Sequence, residues 1–335
     1  MISIHKTLHD KFDQYLECAN LITYKEKLYT YLKPCIKITI SDKKDTILGV
    51  SKIGGIPDLP SNLKWPTKND IPLRFVMQLN LRELPSKSHS YLNIPELGHL
   101  YFFIGDDEPC YNIPNVILYS QEPPTKQNKV NTSEFYEQWD FPENQINLFE
   151  WISLPYSEEL DESNIFTKDE LEEILHWDNE KHTSKYDSLT TLLEENWKNA
   201  SQLGGWPLEQ FDVIKKIQMQ SLFSYYGKDK YEIELLKPPL YPENDVETAE
   251  RMNLKLLAED YKEQYEGNLQ SHLNLKSWFK NVEHLLPEWN ILLALNSHQE
   301  ANMCWWDAAI MNFMVKDDDL KNMQEIKGYA FFESS

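Results

Sequence analysis

Two Gly-Gly-x-Pro turns constrain this chain more than any other feature of its sequence. Gly54-Gly55-Ile56-Pro57 and Gly204-Gly205-Trp206-Pro207 each stand upstream of apolar runs, and the runs recur in the same order. Met77-Gln78-Leu79-Asn80 is answered by Leu293-Ala294-Leu295-Asn296, residues 98–104 by 309–315, and Asp106-Asp107 by Asp317-Asp318. Alternation with period two marks strands with one buried face. Paired glycines reach the positive φ that a tight turn demands, and Pro57 and Pro207 restrain the exit. The pattern therefore predicts an α+β fold of two related, mainly antiparallel β units, an internal duplication with helices inserted between the copies.

The rest of the chain fills in that plan. Leu8, Phe12, Leu16 and Ala19 recur at helical spacing, so residues 5–33 read as helix with a break near residue 23, where Thr23 and Glu26 form a T-x-x-E capping box. Pro34 stops this segment, and residues 35–40 alternate as a strand. Strands are expected at 74–81, 98–105, 115–120 and 149–154, and again at 291–296, 308–315 and 328–334. A second capping box, Thr167 to Glu170, opens a helical pattern that runs to about residue 198. Residues 213–223 read as strand, and helices are expected from Asn244 to Gly267 and over 275–286. The domain plan is N-terminal helices over 1–34 and one body over 35–335. Within that body a first β unit covers about 35–155, an acidic helical insert about 158–199 and a second unit about 200–335.

Charge excludes one class of partner. The formal net charge is -21, whereas a nucleic-acid binder needs a basic footprint, so no nucleic acid is expected. The acidity concentrates in residues 158–199, with thirteen Asp or Glu against four Lys. Such a face keeps a protein soluble, or steers a basic protein partner towards it. No apolar run approaches the roughly 18 residues of a membrane helix and the first residues are too polar for a signal peptide, so the expected location is the cytoplasm. Cys18, Cys35, Cys110 and Cys304 form no C-x-x-C pair; reduced, packed thiols are expected, with Cys304 beside Trp305 and Trp306 packed rather than reactive.

Motifs that carry chemistry are sparse. His5 and His9 have metal-ligand spacing without a third ligand nearby, and Asp106 to Glu108 and Asp317 to Asp319 lack the alternating frame of a calcium loop, so neither a metal nor a cofactor is expected. Neither glycine pair lies in a nucleotide-binding frame, and no G-x-S-x-G elbow is present. This leaves a binding or interaction protein as the leading reading. The alternative is a small-molecule binder or enzyme with its site between the two β units, where Gln78, Asn80, Asn296, Asp307 and Trp305 would converge.

The stretch from Ser51 to Pro60, followed by Trp65-Pro66 and the strand ending at Asn80, resembles the opening of the YwqG-like family of bacterial proteins, a domain-of-unknown-function family. Leu97 to Phe103, Leu203 to Pro207, Trp305 to Ala309 and Asp319-Leu320 continue the resemblance through most of residues 50–335. It implies a compact α+β fold without an assigned activity. Some relatives are encoded beside secreted-toxin systems, which points to immunity-type neutralisation of a basic toxin. The chain departs from the family pattern at Ala294, where a glutamine is common, and at Trp306 and Ala309, where glycines stand. Gln78, the corresponding residue of the first unit, is retained.

Overall fold

The computed structural model describes residues 6–42, 47–105, 113–127, 141–157, 160, 165–208, 289–305, 308–323 and 326–333. The chain divides into two compact units, residues 1–211 with 291–335, and residues 212–290. Of the second unit only Trp289 and Asn290 are described, as the start of a strand that runs on into the first. The elements expected over 213–223, 244–267 and 275–286 lie outside the described residues, as do Cys110, Asp307 and the acidic turn at 106–108.

The helices are α1 (Lys6–Cys18), α2 (Lys25–Tyr29), α3 (Ser88–Leu92), α4 (Lys168–Leu175), α5 (Lys185–Glu194) and α6 (Asp317–Asn322). The strands are β1 (Lys33–Ile40), β2 (Lys52–Ile53), β3 (Thr67–Lys68), β4 (Ile71–Pro72), β5 (Arg74–Asn80), β6 (His99–Ile104), β7 (Asn115–Ser120), β8 (Asn144–Ser153), β9 (Ser201–Leu203), β10 (Trp289–Asn296), β11 (Ile310–Lys316) and β12 (Gly328–Glu333). β3 and β4 make a hairpin of their own. The other ten form one sheet in the order β12-β11-β10-β9-β1-β8-β2-β5-β6-β7. Bridges from Ile113 to Ala330 and from Ile117 to Ile326 join its two ends, so the mostly antiparallel sheet curls into a near-barrel.

The sheet reads alike outward from its centre. β2 pairs with β8 as β9 pairs with β1, and all three pairings in the run β9-β1-β8-β2 are antiparallel. Ile53 faces Met77 and Lys52 faces Gln78; across the centre, Leu203 faces Leu293 and Gln202 faces Ala294. Gly54 N donates to Val76 O at 2.8 Å, and Gly204 N to Leu292 O at 3.0 Å. Gly54, Gly55, Gly204 and Gly205 all have φ between 65° and 81°. β1, assigned from sequence to the first unit, thus lies beside the strands of the second.

Alternate residues of the strands supply the enclosed core. Leu100, Phe102 and Ile104 of β6 join Ile36, Ile38, Leu293, Leu295, Phe313 and Phe332, while Tyr101 and Phe103 turn to the opposite face to meet Phe75, Leu59 and Leu73. Each such Leu, Ile or Phe contributes roughly 1.5–3 kcal/mol relative to exposure. Because both faces are covered, β5 and β6 are buried almost throughout and lose the solvent alternation of an open sheet. A third cluster gathers Phe12 and Leu16 of α1, Leu28 of α2, Ile174 of α4 and Leu189 of α5 around Trp151 on β8.

Three local expectations need correction. Thr23 lies in a 3-10 turn, Ile22–Tyr24, that passes directly into α2, whose N-cap is Tyr24 without a side-chain bond. A capping box needs an extended N-cap, which that continuous turn does not provide. Pro34 does not end a helix. α2 stops at Tyr29, and Pro34 sits in β1 opposite Ile152, beyond the short span over which β9 pairs. Of the cysteines, Cys35 is buried but Cys18 and Cys304 are exposed, because Cys304 follows a tight turn at the rim of a cleft. The box at Thr167 is formed: Glu170 N donates to Thr167 Oγ1 at 3.3 Å and Thr167 N to Glu170 Oε2 at 2.7 Å. A second box, Ser184 with Asp187, opens α5, so the helical pattern expected up to about residue 198 consists of two helices joined through a turn.

Candidate functional site

The polar residues of the first half bond mainly to one another. Gln78 is fully buried; its Oε1 accepts Asp58 N at 2.8 Å, and its Nε2 donates to Val50 O at 2.7 Å and to Asp58 Oδ2 at 2.9 Å. Asp58 Oδ2 also accepts Gly49 N at 2.9 Å and lies 3.3 Å from Lys52 Nζ, which reaches Glu143 at 2.9 Å. The Tyr101 hydroxyl donates to Asp58 O at 3.1 Å, and burial followed by the Asp58 charge raises the pKa of that phenol. Asn80 N donates to Ser51 Oγ, and its side chain spans from Gly49 O to Arg82 N. His99 Nε2 donates to Gly49 O at 2.9 Å, since a carbonyl can only accept. A carboxamide in this position is a lock on the 49–58 loop.

The second half repeats the backbone lock and opens beside it. Ser201 Oγ accepts Asn296 N at 2.9 Å, as Ser51 Oγ accepts Asn80 N, and Asn296 Nδ2 donates to Ala200 O at 3.1 Å. Here the serine also meets His298 Nε2 at 2.8 Å. Burial lowers the pKa of that imidazole against the opposing pull of Glu300, so His298 is held neutral. A cleft of about 730 Å³ lies next to this pair, between the end of β1 at Thr39 and Ile40, residues 198–200, and the turn that follows β10. His298 N donates to Met303 O and Met303 N to His298 O, closing a loop in which Asn302 takes the left-handed conformation with φ 49°. Ser201 is wholly buried and its Oγ already takes a backbone N–H, so the Ser201–His298 pair is a structural contact rather than an accessible nucleophile with its base.

The residues expected to converge are therefore divided. β5 and β10 stand five places apart in the ten-strand order, so Gln78 and Asn80 belong to the closed network and Asn296 to the cleft. Trp305 is buried with its ring 5.6 Å from Phe141, edge to face, and its backbone N–H donates to Ser297 Oγ at 3.0 Å; it is part of the core. Gly54, Gly55, Gly204 and Gly205 serve as turns, a Cβ at Gly55 meeting Glu143 and one at Gly205 meeting Cys35. Lys52, Asp58, Ser201 and His298 were not singled out from sequence. The serines carried a signal, since each stands three residues before its glycine pair.

The acidic segment is partly neutralised from within. Glu170 pairs with Lys27, Glu173 with Lys185 at 2.7 Å and Glu194 with buried Lys37 at 2.7 Å. Lys185 first, and then the Tyr24 hydroxyl at 2.6 Å, hold the Glu173 carboxyl below its usual range; the same bond pushes Tyr24 up to about 12. Asp169, Glu172 and Glu195 remain exposed. Among the described residues no group of three or more His, Cys, Asp or Glu is arranged to hold a metal ion, and no helix is long and apolar enough to cross a membrane.

Residues 51–324 match the family model described as "Domain of unknown function (DUF1963)". The match begins at Ser51, at the first backbone lock, and extends past α6. No curated protein matches the chain.

Proposed function

We propose that this chain, which belongs to the DUF1963 family, is a binding protein that holds a small polar ligand in the cleft beside Asn296. One observation carries the reading. The two halves share a Ser–Asn backbone lock, and among the described residues the lock at Ser201 and Asn296, with His298, borders a cleft of about 730 Å³. That volume lies within the range of about 300–1,000 Å³ common to ligand sites. The buried, neutral His298 fixes the floor without supplying a reachable nucleophile. A thermal-shift screen of amino acids, sugars and nucleosides tests this: a stabilising compound should lose its effect in Gln299→Trp, which fills the cleft, and keep it in Glu172→Lys. Hits that survive Gln299→Trp would reject the cleft.

A second reading rests on the exposed Asp169, Glu172 and Glu195. These would steer a basic protein, in its most concrete form a toxin neutralised by immunity-type binding. Because Glu173 and Glu194 are held in internal pairs, reversing Glu172 and Glu195 to Lys is the clean test; it should slow association and weaken its salt dependence.

We further propose that the halves are related copies of one β unit, supported by the matching registers and glycine turns on either side of the sheet's centre. The YwqG-like reading and a cytoplasmic location fit this picture, the latter through described cysteines that make no disulfide.

A further inference from the structure

We infer that Ser201 sets what His298 offers the cleft: its hydroxyl donates to His298 Nε2, so the imidazole is the Nδ1–H tautomer and meets a ligand as a hydrogen-bond donor. This deepens the cleft reading above and rests on it, although the tautomer itself can be measured without any ligand. A hydroxyl carries one proton and two lone pairs. One lone pair of Ser201 Oγ accepts Asn296 N at 2.9 Å, so that amide cannot take the hydroxyl proton. Among the described residues, the one acceptor within its reach is His298 Nε2 at 2.8 Å. Ser201 is wholly buried, so water does not serve instead. Were the ring proton on Nε2, it would donate to Ser201 Oγ and leave the hydroxyl proton with no acceptor, the arrangement that buried polar groups avoid. A neutral imidazole has a single N–H, and the bond made by one ring nitrogen decides where it sits. Burial keeps His298 neutral, and its proton therefore sits on Nδ1.

The buried histidine of the other half takes the opposite form. His99 Nε2 faces Gly49 O at 2.9 Å, and a carbonyl only accepts, so the proton is on Nε2 and the bare Nδ1 is shut into the protein without a partner. His298 instead borders the cleft, and its Nδ1 has no hydrogen-bond partner among the described residues. Its backbone is already committed: N donates to Met303 O, while O accepts Ala301 N and Met303 N. What His298 holds out to a molecule in the cleft is thus Nδ1–H, and any group bonded there is an acceptor. Ser201 acts through the ring without touching the ligand, which makes it a positioning residue.

The experiment is long-range proton–nitrogen NMR of the imidazoles in the full chain, recorded at about pH 7.5, above the ordinary histidine value. His298 is identified by its loss in His298→Gln and by through-bond connection to its own backbone, so the wild-type spectrum decides even where a variant does not fold. His298 is expected with Nδ1 protonated and Nε2 bare by at least about ten to one, because the alternative orphans a buried hydroxyl proton. His99 should show the reverse pattern in the same spectrum. Ser201→Ala, its fold checked by circular dichroism, should lose the bias at His298 and keep that at His99. In Gln299→Trp, which fills the cleft, the Nδ1 proton of His298 should shift while the Nε2 proton of His99 stays. His298 in the Nε2–H form, or as an even mixture, overturns the inference and leaves the cleft standing. A bias that survives Ser201→Ala also overturns it, since something other than the serine then sets the ring. An Nδ1–H that ignores Gln299→Trp overturns its place on the cleft, whereas the cleft reading is decided separately by the thermal-shift screen.

Discussion

The two halves of the near-barrel use the same backbone lock and fill its surroundings differently. Around Ser51 and Asn80, the positions facing each other on β2 and β5 hold Lys52 and Gln78, and Asp58 ties both to the loop above. Around Ser201 and Asn296, the facing positions hold Gln202 and Ala294. Gln202 turns back on its own strand end, donating to Gly204 O at 2.8 Å and Trp206 O at 2.7 Å. A repeated register thus fixes where strands lie, while a few side chains decide whether a half becomes a sealed polar core or keeps an accessible cleft. Ala294 offers no carboxamide to the position it faces, whereas Gln78 helps to seal the first half.

The largest expected effect strikes the sealed half. Asp58→Ala takes an acceptor from Gly49 N, Gln78 Nε2 and Lys52 Nζ together, and leaves buried Lys52 with Glu143 alone. Breaking a buried pair in this way costs about 3–5 kcal/mol. Gln202→Ala, in the corresponding half, removes only neutral bonds and should cost about 1–3 kcal/mol. Denaturant midpoints at unchanged slope measure both. Equal losses would mean that charge does not distinguish the halves.

The glycine turns sharpen the comparison at smaller magnitude. Gly54 and Gly204 have nearly the same φ, 67° and 65°, so the cost of placing alanine in the left-handed region, about 1–2 kcal/mol, is common to both. Their neighbours differ. A Cβ at Gly54 would fall 2.4 Å from the backbone oxygen of Pro142, and one at Gly204 would fall 2.3 Å from Leu92 Cδ2, the end of a side chain able to turn aside. Gly54→Ala should therefore exceed Gly204→Ala by about 1 kcal/mol or more in unfolding free energy. A reversed order would show that Leu92 is the more rigid neighbour.

Most strands were legible because their apolar alternation and bounding turns are local; 115–120 was placed at its observed limits, and β5, β6, β10 and β11 within two residues at either end. The place of β1 beside β9 was not, since pairing between residues 36–38 and 201–203 leaves no local mark on either segment. Nor did residue type reveal that Gln78 is sealed and Asn296 open. Both are carboxamides near the ends of their strands, and the difference lies in Asp58, twenty residues from Gln78, and in the turn after β10. Helix caps show the same boundary of inference. T-x-x-E was formed at Thr167 and absent at Thr23, where a 3-10 turn feeds the helix. Thr167→Ala should accordingly destabilise by about 0.5–2 kcal/mol, and Thr23→Ala by less than about 0.5 kcal/mol. Urea titration of the two variants side by side checks the pair.

The smallest effect expected is a slope with pH, and it belongs to the open half. His298 is buried on Ser201, and burial lowers its pKa while Glu300, the charged group on the adjoining turn, acts in the opposite sense. In the unfolded chain an exposed histidine titrates near about 6.5. Above that pH both states are neutral and the contribution is fully present. As the pH falls through the unfolded value, the unfolded state binds a proton that the folded state resists, so stability declines until the folded value is reached. The carboxyls with lowered values, Glu170, Glu173 and Asp178, act in the same direction, but their contribution is lost only below the ordinary carboxylate range near about 4.3. Of these four groups, His298 alone contributes between about pH 7 and 5. His298→Gln should flatten the stability curve across it and leave the acid limb below pH about 4.5 unchanged. Ser201→Ala should retain a decline in the upper interval, because desolvation, the leading cause, remains when the hydroxyl is removed. If His298→Gln keeps the wild-type slope, the imidazole already reaches water through the cleft, and His298 would be a wall of the site open to ligand protons rather than its dry floor.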